Sequence, residues 1–226
     1  MLWLGSGCAL AANVVGSITN LSGMLVARKD DGTTRILSQK SEVLVGDTLV
    51  TAEGSYARLK FTEGGEVTLR PNSQFEIREY FFETASPERD NIVLGLIKGG
   101  LRVITGAIAK RDRSKFQLRT PSGTIGIRGT VFGPLQCNND CANIKDASGG
   151  IPANGLHVDV GQGEISVTNK GGTRNYAAGV FGYVRDINTP PVVVPAATAP
   201  KLPVPPQRFE TGRAGVGRAS ANECTI

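Results

Sequence analysis

The sequence predicts an all-β protein whose meandering short strands form a β-solenoid or a sandwich-like domain. Three observations carry that prediction. From residue 15 to about 184, apolar and polar residues alternate in pieces of four to eight, the period of a strand with one buried face. Glycine and proline are frequent, 29 and 12 of 226 residues, so many turns are required. The apolar spacing of an amphipathic helix, i, i+3, i+4 and i+7, is scarcely met in this region. A chain of this length fills one domain, or at most two small ones, without needing disulfides or metals to hold its core.

The first clear pair of strands, residues 24–28 and 33–37, flanks Lys29-Asp30-Asp31-Gly32, whose Asp-Gly ending suits a tight hairpin because glycine accepts positive φ. Leu49-Val50-Thr51 leads into the turn Glu53-Gly54-Ser55, after which Ala57-Arg58-Leu59-Lys60-Phe61 alternates cleanly. A second turn, Glu63-Gly64-Gly65, precedes Glu66-Val67-Thr68-Leu69, and residues 75–82 alternate again. A weak internal echo favours winding over a compact barrel. Residues 18–46 and 156–179 both read as a glycine, an alternating strand, a Gly-containing turn and a second strand ending near a glycine. Two copies are fewer than the three or more repeats a solenoid usually shows.

The β domain is therefore placed at residues 15–186. Before it, residues 1–12 are small and apolar, and Ala9-Leu10-Ala11 has the form of a signal peptidase site. They read as a truncated signal peptide, although the missing basic region leaves an ordered strand as the alternative. Cys8 lacks a leucine three residues before it, so a lipoprotein signal is poorly met. After Asp186, Thr189-Pro190-Pro191 and Pro203-Val204-Pro205-Pro206 mark residues 187–226 as a proline-rich flexible tail. No segment approaches the ~20 apolar residues of a membrane helix.

The formal net charge is +5, but most cations stand beside acids, as in Arg28-Lys29-Asp30-Asp31, and this speaks against nucleic acid as a partner. The exception is the stretch 110–115, with four cations in six residues, read as a solvated turn. Cys137 and Cys141, four apart in a polar loop, read as a disulfide in an oxidising compartment. Zinc would need His157 and Cys224 as further ligands, both far away in sequence, so no metal is assigned. No cofactor is implied. His157 is the only histidine, and no nucleophile elbow, phosphate loop or metal-binding helix accompanies it. Asp30, Asp31, Glu63 and Glu66 flank turns and read as solvated. The expectation is that the protein is not an enzyme.

The densest stretch is Thr120-Pro121-Ser122-Gly123-Thr124-Ile125-Gly126-Ile127-Arg128-Gly129-Thr130. On chemistry alone it is two strands joined by glycines, with Arg128 placed to lie along backbone as a clamp. This stretch resembles the hallmark of the FecR family. Other features of that family stand in the same order: Gly46-Asp47, Ala57-Arg58-Leu59-Lys60-Phe61, Pro71-Asn72-Ser73, and Lys98-Gly99-Gly100. The resemblance covers residues 16–186. It implies a periplasmic or secreted β module of the bacterial cell envelope. In complete members this module helps relay the state of an outer-membrane transporter to a sigma factor. The reading that follows is a non-catalytic sensor, binding or scaffolding module that acts through protein–protein contacts, with exposed strand edges taking up an envelope partner or a second copy. The alternatives are a peptidoglycan or carbohydrate binder, using Tyr56, Tyr80, Phe81 and Phe82, and a remnant regulator of a sigma-factor relay.

Overall fold

The computed structural model describes residues 13–202. The expected signal segment with Cys8, and residues 203–226 with Cys224, lie outside the described residues.

Four bent hairpins build the domain. In the first, β1 (Val14–Ser22) and β4 (Glu42–Leu44) pair in one sheet, while β2 (Leu25–Arg28) and β3 (Thr34–Leu37) pair in a second. We call these sheets A and B. In the next unit the order is reversed: β5 (Thr48–Thr51) and β8 (Gln74–Phe81) lie in sheet B, and β6 (Tyr56–Phe61) and β7 (Glu66–Leu69) in sheet A. A 14-residue strand, β9 (Asn91–Ile104), then serves both sheets. Its first half pairs with β8 and its second half with β7. A short helix, α1 (Ala107–Arg111), leads to the third hairpin, in which β10 (Phe116–Thr120) and β11 (Gly123–Ile127) extend sheet B and β12 (Val131–Cys137) returns beside β9 in sheet A. The two-residue strand β13 (Lys145–Asp146) follows. The fourth unit places β14 (Gly155–Gln162) and β17 (Phe181–Val184) in sheet A, and β15 (Glu164–Asn169) and β16 (Gly172–Ala177) in sheet B.

The architecture is thus a sandwich of two nine-stranded sheets that share β9. Of the two forms left open by the sequence, the sandwich is the one observed. The echo between residues 18–46 and 156–179 has a structural cause, since those segments belong to the first and fourth bent hairpins. The other two copies escape a linear reading because one runs in the opposite sheet order and another is interrupted by α1.

One continuous core fills the space between the sheets. Alternation decides its membership: Leu25 and Ala27 on β2, Ala57, Leu59 and Phe61 on β6, and Ile125 and Ile127 on β11 are all buried. On β8 the alternation would fail after Ile77, but a register shift between Ile77 and Glu79 brings Tyr80 back inward, where it stacks on Phe61.

The proline-rich segment begins differently from its expectation. Residues 192–194 form β18 (Val192–Val194) on the edge of sheet A, paired with β17, and Pro200 and Lys201 form β19 (Pro200–Lys201) against β13. Asn169 and Arg174 hold this segment by donating to the carbonyls of Thr189 and Pro191. Proline lacks a donor but keeps its carbonyl, and edge positions tolerate that.

Candidate functional site

Most of the motif residues singled out in the sequence lie at turns, several of them corners at which the chain passes between sheets. Gly46-Asp47 joins β4 to β5. Asp47 is fully buried, and its carboxylate accepts from the Leu44 amide at 2.9 Å and from the Arg35 guanidinium at 2.5 Å. Pro71-Asn72-Ser73 joins β7 to β8, with Asn72 at φ 59°. The buried Ser73 hydroxyl donates to the Gly100 carbonyl and accepts from the Gly100 amide, at 2.9 and 3.0 Å. It meets β9 where that strand crosses from sheet B to sheet A. There Gly99 has φ 81°, and a Cβ on it would lie 2.5 Å from the Ser73 Cα. Only glycine fits.

The hallmark spans a hairpin turn within sheet B and a corner between the sheets. Thr120, before Pro121, turns the β10–β11 hairpin by accepting from the Ser122 and Gly123 amides. Gly129 and Thr130 carry the chain from β11 to β12, where Thr130 exchanges hydrogen bonds with Thr105. Between these turns Gly126 faces outward beside Ser166. Arg128 is not the backbone clamp read from its neighbours. Its side chain is 54% exposed, and its guanidinium meets the Glu164 carboxylate at 3.4 Å.

Cys137 and Cys141 form a disulfide. With Leu135 they make a small second cluster against which Ile144 and Leu202 pack. Such a short loop contributes about 2 kcal/mol by loop closure. A cavity of about 250 Å³ opens beside it, between the turns at Gly54 and Asn72, the bend at Gly99, and the loop residues Asp140 and Ile144. Glu53, Arg70 and Asp140 supply the charges on its wall. Both cysteines being joined, the zinc alternative loses two of its four ligands. Among the described residues, no group of three His, Cys, Asp or Glu side chains is placed to hold a metal.

Part of the outer face of sheet A is desolvated, at Thr68, Gly133, Leu135 and His157. Arg58, Thr68, Arg102, Gly133 and Asp159 stand opposite one another on successive strands, pointing away from the core. Burial pushes the Asp159 carboxyl up, against the pull of Arg70 and Arg102. His157 is buried on this face, its Nε2 2.8 Å from the Ala153 carbonyl and its ring against Tyr183. Burial holds its pKa below the ordinary value, opposed by that hydrogen bond. Sheet B instead presents an open groove around Gly126, bordered by Arg113, Arg128 and Ser166. At its far end Ile36, 78% exposed, lies on edge strand β3, opposite Val26 and Val50 on the same outer face.

The FecR protein family model matches residues 47–151, the stretch that holds the second and third bent hairpins. Over this stretch the chain matches the FecR family. Solved structures show lower likeness. Two crystal structures of a candidate anti-sigma factor from Parabacteroides distasonis ATCC 8503 align with a TM-score of 0.47 and 15% identity, covering 65% of this chain and 58% of that one. A chain described as a cell surface anchoring domain aligns with a TM-score of 0.27 and 26% identity, over 27% of this chain and 82% of that one. This chain thus spans just over half the length of the anti-sigma structures. No curated protein matches it.

Within the stretch that matches the FecR family, the residues first considered for chemistry are occupied by structural partners. Tyr80 is core, and its hydroxyl lies 2.6 Å from that of Thr62. Phe81 and Phe82 are covered by the guanidinium groups of Arg89 and Arg111. A glycan would find no bare aromatic platform there, so this cluster does not supply the sugar-binding face considered for it. Glu63 is buried rather than solvated. It accepts from the amides of Gly65 and Ile108, and burial raises its pKa. The cationic stretch 110–115 is likewise tied down: Arg111 meets the buried Asp90 at 3.3 Å and Lys115 donates to the Glu88 carbonyl. No spacing pattern could have shown the whole Glu63 role, because its partner Ile108 lies 45 residues away in α1. Among the described residues, no helix is long and apolar enough to cross a membrane.

Proposed function

We propose that this domain is a non-catalytic interaction module of FecR type in the bacterial cell envelope, and that it takes up a strand of a partner protein along β3. The observation that carries this reading is the side chain of Ile36. It is the most exposed large apolar residue described, and it sits on a strand whose outer edge pairs with no other described strand. Unpaired amides and carbonyls supply affinity for an incoming strand, and apolar side chains beside them supply specificity. The other edges suit this less well. β4 and β18 are three residues long, and the central exposed residues of β16 are Thr173, Arg174 and Asn175. The corners that carry the FecR likeness support the reading indirectly, since they are committed to holding the two sheets together.

The test is crosslinking in intact envelopes followed by recovery of the protein and mass spectrometry of what comes with it. Ile36→Lys removes the apolar contact and Thr34→Pro removes an edge donor. Both are expected to leave thermal stability near that of the parent and to cut partner recovery about tenfold, the loss of roughly one hot-spot residue. Undiminished recovery with both variants would contradict the edge as the site.

A further inference from the structure

The fold does not require a glycine at position 126 in the way that it requires Gly99. Gly126 lies inside β11, paired in regular register with Gln117 on β10 and Ser166 on β15, with no bulge on either side. Its φ is not positive. A Cβ there would meet one atom within 4 Å, the Ser166 Oγ at 2.8 Å, and a hydroxyl can rotate away. Gly95, on β9 in the same sheet, is by contrast covered by the side chains of Glu76 and Arg78. Glycine inside a strand weakens it, and where no bulge or bend calls for it, it marks a place where another molecule comes close to the backbone.

The bare backbone at Gly126 is the floor of an open groove of about 620 Å³, within the size range of small-ligand sites. Gln117, Thr124, Ser166 and Thr168 line it with amide and hydroxyl groups, and the charged side chains on its wall are two cations, Arg113 and Arg128. Arg113 forms no ion pair with another described residue. Two acids stand close by in the chain or the sheet: Asp112 is engaged by the amide and hydroxyl of Ser114, and Glu164 meets Arg128 at 3.4 Å. The main-chain groups of β11 are paired on both sides, so an extended peptide lying here finds no edge to join and leaves its own amides short of partners. A saccharide fits better. Its hydroxyls donate and accept, as do the serine, threonine and glutamine groups of the wall, and a flat ring can rest on bare backbone. The guanidinium groups add a preference for an oxyanion, which arginine can hold with two parallel hydrogen bonds.

We propose that the outer face of β10, β11 and β15 binds an acidic saccharide, with a sugar ring over Gly126 and its carboxylate or phosphate group at Arg113 and Arg128. The site lies on the face of sheet B, away from the β3 edge, and stands whether or not β3 takes up a partner strand.

Calorimetric titration of the full chain with oligogalacturonate, and with a phosphorylated mannose oligosaccharide, tests it. At least one should bind about tenfold more tightly than its neutral counterpart, the methyl ester or the dephosphorylated sugar, and the tighter of the two names the oxyanion. Arg113→Ala combined with Arg128→Ala should cut that affinity about tenfold, and Gly126→Leu should do the same by filling the floor. Ile36→Lys should leave it at the parent value. If Gly126→Leu fails to fold, the pair of exposed arginines decides. Absence of binding by both acidic sugars, equal binding of the neutral forms, or unchanged affinity in the arginine variant would overturn the proposal. Loss with Ile36→Lys would overturn it by placing the sugar at β3. Equal or tighter binding of polyglutamate would overturn it in favour of an acidic protein segment.

Discussion

Sheets A and B have nine strands each and share β9, but their outer faces are built for different ends. On sheet A, Thr68 and His157 point outward and are nevertheless buried, and the carboxyl of Asp159 is perturbed by lost hydration. The disulfide loop and the segment 195–202 lie on that side, with Pro200 and Leu202 over Gly133 and Phe181. On sheet B, Ile36 and Arg128 stand in solvent and Gly126 lies in an open groove bordered by Arg113, Arg128 and Ser166. The part of an outer face that is already covered belongs to the fold's own stability. An open one with an unpaired edge is where a second molecule can be met.

The largest effect should come from the corners that join these faces. Gly99→Ala adds a Cβ 2.5 Å from the Ser73 Cα at a positive φ, and should destabilise by about 3 kcal/mol, combining backbone strain with overpacking. Gly126→Ala, on the open face, meets only the movable Ser166 hydroxyl and should cost less than about 1 kcal/mol. Urea unfolding of the two variants checks the contrast, and equal losses would break it. Ser73→Ala should cost about 2 kcal/mol, because it strands the buried Gly100 amide that the hydroxyl satisfies.

Next in size is the covering of sheet A. Replacing Cys137 and Cys141 by serine should lower stability by about 2 kcal/mol and leave sheet B exchange unaltered. His157 adds a pH signature. Its folded pKa lies below the ordinary 6.5, so the unfolded chain binds the extra proton, and the His157 contribution is lost as pH falls through the window below 6.5. Glu63 acts in the opposite sense. Its folded pKa lies above 4.5, so its contribution is fully present below 4.5 and is lost as pH rises through the folded value. In unfolding measured from pH 7 to 5, His157→Gln should narrow its deficit against the parent as pH falls. A constant deficit would mean the ring is not shielded.

How much of this was legible in the sequence depends on whether the signal was local. Strands such as 57–61 and the hairpin around Gly32 follow from alternation and one turn residue, and both stand as read. The Cys137–Cys141 pairing needed only a spacing of four. The motif residues were visible too, but their task was not. Ser73 is a corner only because Gly100, 27 residues later, lies where β9 changes sheets. The exposed guanidinium of Arg128 and the buried carboxyl of Glu63 were misjudged for the same reason, since burial is set by strands that pair across long separations. The ordering of residues 187–202 rests on carbonyls captured by Asn169 and Arg174, a contact that composition cannot show.

The smallest effect is also a discriminating one: Arg128→Ala should change stability by no more than about 0.5 kcal/mol, as expected for an exposed ion pair. This variant permits the most direct test of the division between corners that hold the fold and an edge that meets a partner. Partner recovery from crosslinked envelopes should be measured for Arg128→Ala beside Ile36→Lys. The account predicts recovery equal to the parent for Arg128→Ala and about tenfold lower for Ile36→Lys. Loss with Arg128→Ala and full recovery with Ile36→Lys would contradict it, and would move the contact from the edge of sheet B to the hallmark groove.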